Sequence, residues 1–296
     1  MLRELGVVNL VVEGLQLPFK KGIPLDELTG ENGDQYAKCV TLLNMQYRLL
    51  KQMCKADLVN SRALYAHLRV LRSHLGKGIL CTPTIKEIFA GKREMLNHVD
   101  EELIDHFVEL LQKDKAPQYI DFLMSLCIDK SGPLPKIQDI IVDRLLIRYT
   151  ELLPQVLLET KQGTTMHLTI SGIKDPSTGK DIWLDLAQFK KTKEVRGCEQ
   201  DYVGWIMNAT LSELTPAEKA VRYFVRCSNL YGKLATGRNQ GSLKALISNR
   251  TLALSYAQIL AVISEPRLPY LIRARHFLCF GSSAPFVILQ SNMRGP

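Results

Sequence analysis

The chain has 296 residues, 46% of them hydrophobic and 23% charged, with a formal net charge of +8. This is ordinary globular usage over a length that fills one or two domains, which excludes wholesale disorder. No run approaches the ~18 uninterrupted apolar residues of a membrane helix, and no small-residue cleavage site follows the N-terminus, so a soluble chain is expected.

In chain order, Leu2, Leu5, Val8, Val12 and Leu15 recur at helical spacing, and Leu17-Pro18-Phe19 is expected to end that helix. After a polar connection the next helix spans about 34–55, with Leu42, Leu43, Tyr47, Leu50 and Cys54 on one side. Asn60 or Ser61 is the expected cap of a helix with the stripe Leu64, Leu68, Leu71 and Leu75, stopped by Gly76 and Gly78. Thr82-Pro83 reads as a capping hydroxyl followed by proline at the first helical position. Asp100, Glu101 and Glu102 open a helix with the face Leu103, Phe107, Leu110 and Leu111. Pro117 opens another, and Pro133 and Pro135 break the chain before 137–146.

These short helices with tight breaks predict a mainly α fold, an armadillo-like α-solenoid of stacked helices. No strict internal repeat accompanies them, and a compact irregular bundle is the alternative. Met166, Leu168 and Ile170, then Ile182, Leu184 and Leu186, alternate with polar or amphipathic residues around a turn cluster at 175–179. That pattern predicts a small inserted β-hairpin, with 190–197 as a charged loop. Thr215-Pro216 restarts helix, and further helices are expected over 251–263 and 269–278. The organisation expected is a helical domain over 1–160, an insertion over 161–200, a second helical block over 201–280 and an atypical tail over 281–296.

Seven cysteines without CxxC spacing read as buried reduced thiols. Six histidines form neither HExxH nor any Cys/His metal spacing, so no metal and no cofactor are expected. Neither an acid/base pair nor a Gly-x-Ser-x-Gly elbow is present, and the chain is not expected to be an enzyme. Thr236-Gly-Arg-Asn-Gln-Gly lacks the Gly-Lys-Ser/Thr ending of a phosphate loop and reads as a turn between helices. Between Pro216 and Phe280 ten bases face two acids, so this stretch carries the whole positive excess. Arg222, Arg226, Arg238, Arg273 and Arg275 are the candidate basic docking surface, for an acidic neighbour or an anionic lipid; a plain solvated helix face is the alternative. Too few aromatics interleave with the bases for a single-strand nucleic-acid groove.

Three stretches carry a family likeness: Met1-Leu-Arg-Glu-Leu-Gly-Val-Val closing at Leu17-Pro18-Phe19; the run from Tyr47-Arg-Leu-Leu to Tyr119-Ile-Asp-Phe-Leu-Met-Ser-Leu-Cys; and Tyr231-Gly-Lys-Leu-Ala-Thr-Gly-Arg-Asn with Leu268-Pro-Tyr-Leu-Ile-Arg-Ala-Arg. In this order they resemble the armadillo-like RIH domain shared by inositol trisphosphate and ryanodine receptors, nearer the former branch. The resemblance implies a scaffold segment of a calcium-release channel on the cytosolic face of the endoplasmic reticulum. Its partners would be other domains or subunits of a tetramer, and the present chain would be a fragment without a pore. It also implies where an inositol phosphate remnant would lie: Arg3 as the last rung of a basic ladder, with Lys55 and Arg62 as substitutes for a Tyr-Arg-Lys triplet. That triplet falls here on Asp57-Leu58-Val59, which weighs against phosphate binding. A free-standing helical-repeat interaction module, and more distantly a basic nucleic-acid-binding repeat protein, are the alternative functions.

Overall fold

The computed structural model describes residues 6–25, 28, 35–161, 165–175, 177–185, 192–195 and 198–248, with isolated positions from 264 to 273. The chain is mainly helical and divides into two compact units, Met1–Leu103 with Ile128–Leu134, and Ile104–Cys127 with Pro135–Pro296.

The first unit opens with α1 (Val7–Lys20), which does not stop at Pro18. Pro18 lies in the last turn, where only its own missing donor is lost, and the Lys21 amide still closes on the Leu17 carbonyl at 3.1 Å. Helix α2 (Ala37–Cys54) buries Leu43, Tyr47, Leu50 and Cys54. Leu42, expected on that side, is 53% exposed. It sits a helical step of 100° from Leu43, and the i, i+4, i+7 row of buried residues fixes the core side without it.

The expected single helix over residues 60–75 is two, α3 (Leu58–Tyr65) and α4 (Leu68–Ser73). The cap is neither Asn60 nor Ser61 but Asp57, whose Oδ1 accepts the Asn60 amide at 2.8 Å. Leu64, Leu68, Leu71 and Leu75 are all buried despite the break. Helix α5 (Cys81–Phe89) starts ahead of Thr82. The Asn44 side chain of α2 accepts the Leu80 amide at 2.8 Å, a tertiary cap in place of the local hydroxyl. Thr84 instead donates to the Tyr47 carbonyl at 3.0 Å, tying α5 to α2. A short α6 (Arg93–Leu96) follows, and α7 (Glu101–Lys113) is capped by Asp100, which accepts the Leu103 amide at 2.8 Å. The core of the first unit is the mutual packing of α2, α3 and α5, with α1 laid on α2. The two-residue strands β1 (Ile128–Asp129) and β2 (Gly132–Pro133) pair antiparallel beside it.

In the second unit, α8 (Pro117–Leu126) starts with proline at its first position. Phe122 stacks on Phe107 of α7 with ring centroids 3.8 Å apart. Helix α9 (Pro135–Val142) runs into a π-helical turn at Asp143–Arg148, which projects Arg144 onto Asp105 at 2.6 Å.

The expected hairpin is a three-stranded meander. Strands β3 (Gln155–Lys161), β4 (Thr165–Lys174) and β5 (Asp181–Asp185) pair antiparallel, with Ile170 opposite Ile182. The segment 190–197 is not simply a loop: β6 (Thr192–Val195) pairs with β7 (Cys198–Asp201). Backbone pairing in both cases supplied order that the charged or weakly alternating sequence did not announce.

Helices α10 (Tyr202–Asn208), α11 (Pro216–Ala235) and α12 (Gln240–Ser248) complete the unit. Ile170 and Ile182 of the meander share one core with Val203, Ile206, Val221 and Phe224. The expected helices over 251–263 and 269–278, and the tail, lie outside the described residues apart from isolated positions.

Candidate functional site

The candidate phosphate remnant lies in the first unit. Arg3 is outside the described residues. Lys55 follows α2 with an extended backbone, and Ala56 after it adopts a left-handed φ of 55° that reverses the chain into α3. Lys55 is exposed. Asp57, in the position of the missing cationic triplet, spends its carboxylate on capping α3. Leu58 is half-buried and Val59 is exposed.

Arg62, one turn further on, is committed to Glu94. Its Nε donates to Glu94 Oε1 at 2.6 Å while a terminal nitrogen meets Glu94 Oε2, a two-pronged pair. Hydrogen bonding to Arg62 holds the Glu94 carboxyl below its ordinary range, and the same bond raises the guanidinium. A phosphate here would have to displace a bidentate carboxylate.

The basic block centres on α11. Thr215 and Glu218 form a capping box at its start, with Pro216 in the first turn. Glu218 is buried, and its carboxylate accepts from the Tyr202 hydroxyl at 2.6 Å, the Thr215 amide at 2.8 Å and the Thr215 hydroxyl at 2.9 Å. Most of the circumference of α11 is buried, which leaves a narrow outward stripe: Lys219, Arg222, Arg226, Asn229 and Lys233.

Within that stripe the structure separates the bases. Arg222 is half-buried and donates to the Ala209 carbonyl at 2.7 Å. Burial, then the neighbouring Arg226, pushes its guanidinium below the ordinary value. Arg226 lies 3.3 Å from Asp121 of α8 and is also half-buried. Both arginines are thus engaged with other parts of the second unit.

Arg238 is exposed in the turn between α11 and α12, with φ 55° beside Gly237 at φ 85°. Arg273 is half-buried, and Arg275 lies outside the described residues. Lys219, Lys233 and Lys244, counted in the basic block but not in the candidate docking set, are exposed. The signal for Lys219 and Lys233 was their place in the i, i+3, i+7 polar stripe of α11, where lysines at the ends reach solvent.

Around the far end of α11 an amide network centred on the buried Gln138 joins three helices. Gln138 of α9 is fully buried and donates to the carbonyls of Lys233 at 3.0 Å and Thr236 at 3.1 Å, which caps the C-terminus of α11. Asn239 donates to Asp139 at 2.8 Å, while its Oδ1 accepts from the Gly241 amide at 3.0 Å at the start of α12.

Reactive groups are muted. Burial pushes the Cys54 thiol up to about 11 and the Cys81 and Cys127 thiols up to about 12, so none supplies a thiolate near neutral pH. Among the described residues no three His, Cys, Asp or Glu side chains are placed to hold a metal ion. No described helix is long and apolar enough to cross a membrane.

Comparison with known proteins gives two findings. The family model for the RIH domain (RYDR_ITPR) matches residues 1–162. Inositol 1,4,5-trisphosphate receptor-like protein A of Dictyostelium discoideum is 23% identical over 238 residues, covering 77% of this chain. The chain spans only 6% of that relative's length.

Proposed function

Because the chain belongs to the RIH-domain family of inositol trisphosphate and ryanodine receptors, we propose that it is a regulatory scaffold segment of an intracellular calcium-release channel. It couples ligand binding elsewhere in the assembly to a pore that lies in another part of it, on the cytosolic face of the endoplasmic reticulum. Its partners are other domains or subunits of the channel. The segments 1–160, 161–200 and 201–280 act as parts of this relay.

The observation that carries the reading is the RIH match together with the way polar groups are used. Arg62, Arg222, Arg226, Glu218 and Gln138 all bind other parts of the fold. Helical units fixed by such internal bonds move as bodies about their joints, which suits transmission of a displacement.

The test is a replacement. The matched segment of an inositol trisphosphate receptor is exchanged for this chain, and ligand-evoked calcium release is recorded from cells lacking their own receptors. Assembly is checked by native electrophoresis. Retained release supports the coupling role; a correctly assembled, ligand-binding channel that stays shut refutes it.

A further inference from the structure

Eight large apolar side chains are exposed among the described residues, and five of them lie on α1 and α2: Leu10, Leu17, Leu42, Met45 and Leu49. Their exposures run from 42% to 62%, which is too much, too close together, for scattered surface apolar residues. Leu10 and Leu17 are seven apart on α1. Leu42, Met45 and Leu49 take the i, i+3, i+7 positions of α2. Each set is therefore a row on one side of its helix.

The rows border one seam. Helix α1 packs on α2, and the Gln46 side chain lies over Gly14, where an added Cβ would sit 2.5 Å from Gln46 Nε2. Gly14 stands one turn after Leu10, and Gln46 one turn after Leu42. This contact thus lies between the two apolar rows, each about 10 Å long at 1.5 Å per residue. Two turns are what the i, i+3 or i+4 and i+7 anchors of one docked helix cover.

Charge selects the occupant. Helices α1 and α2 carry Lys20, Lys38, Arg48 and Lys51 against Glu13 alone. The connection between them adds Lys21 and, outside the described residues, the acids Asp26, Glu27, Glu31 and Asp34 in sequence. Arg48 and Lys55, both exposed, stand toward the C-terminal end of α2. The rows hold leucine and methionine, side chains that line helix-binding grooves and repack around a guest, and no tryptophan or phenylalanine of the kind that anchors a helix in a bilayer surface.

We propose that the α1–α2 seam docks an amphipathic helix of a partner protein, with leucine-type anchors at i, i+4 and i+7 and carboxylates at the end that meets Arg48 and Lys55. This stands on the surface itself and does not require the channel role.

The test pans the full chain against displayed 18-residue helical peptides with one face randomised, then measures a synthetic consensus peptide by fluorescence anisotropy. The expected consensus has leucine-type residues at the stated spacing and acids at one end. Its affinity falls at least tenfold for Leu42→Ser with Leu49→Ser and at least threefold for Arg48→Glu. Those positions are exposed, so the variants keep the parent's circular dichroism and urea midpoint. Binders indifferent to these substitutions, or an enriched pattern without acids, overturn the proposal. So does binding to phosphatidylserine vesicles through the same rows in place of the peptide, or a concentration-dependent dimer in sedimentation that Leu42→Ser with Leu49→Ser abolishes.

Discussion

The hydroxyl of Tyr47 on α2 lies 2.6 Å from Nδ1 of His74 at the end of α4, and both side chains are buried. Phe19 of α1 meets the same imidazole edge-on, with ring centroids 4.9 Å apart. Three helices therefore close on one ring. With Nδ1 accepting from the tyrosine the ring is neutral, and burial pulls the His74 pKa down from 6.5 to about 4.

A pH dependence follows from that depression. Between about 6.5 and about 4 the unfolded chain takes up a proton that the folded ring refuses. The contribution of His74 to stability is thus complete above about 6.5 and is lost as pH falls toward about 4. Urea unfolding of the parent and of His74→Gln across this range is expected to show a steeper loss in the parent. Parallel curves would refute the buried neutral imidazole. Tyr47→Phe, which strips the ring of its donor, is expected to cost about 1–3 kcal/mol at pH 7.5.

Glu218 gives a second prediction. Its carboxylate is buried and satisfied by Tyr202 and Thr215 at the start of the 20-residue helix α11. Glu218→Ala removes the capping box and the acceptor of the tyrosine together, and a loss of about 1–3 kcal/mol is expected from urea midpoints. Thr215→Ala is expected to cost less, about 1 kcal/mol. The burial of a glutamate was not visible in the chain, where the Thr-Pro-Ala-Glu motif announces only a cap. The core-facing position of Glu218 depends on Tyr202, sixteen residues earlier.

Gln138 reaches about a hundred residues forward to the last carbonyls of α11. Gln138→Leu keeps the volume and removes both donors, which leaves the Lys233 carbonyl only the longer bond from the Thr236 amide at 3.3 Å. The expected loss is about 1–3 kcal/mol, with amide hydrogen exchange accelerating first in the last turn of α11 and the first turn of α12. Uniform acceleration across the unit would argue against a local cap.

Binding of inositol trisphosphate by this chain alone is expected to be undetectable in calorimetry. Arg62 is held by Glu94, and Asp57 stands where cations would be needed. Freeing the guanidinium by Glu94→Gln leaves too few cations to change this result. Micromolar binding by the parent chain would overturn the assignment of Arg62 to a structural pair.

The residue pattern by itself determined that this is a mainly helical chain. Apolar spacing near 3.6 located the stripes at 43–54, 64–75, 103–111 and 221–234, because burial of a helix face is written locally along the chain. Motif order over the first half carried the family likeness. Only the tertiary structure decided which polar groups are spent inside the fold. Asn44 rather than Thr82 caps α5, Arg62 goes to Glu94, Arg226 goes to Asp121, and the hairpin gains a third strand at Gln155–Lys161. The cap from Asn44 and the pairings of Arg62 and Arg226 each depend on what a neighbour about 30 to 105 residues away presents, and a one-dimensional period holds no record of that distance in space.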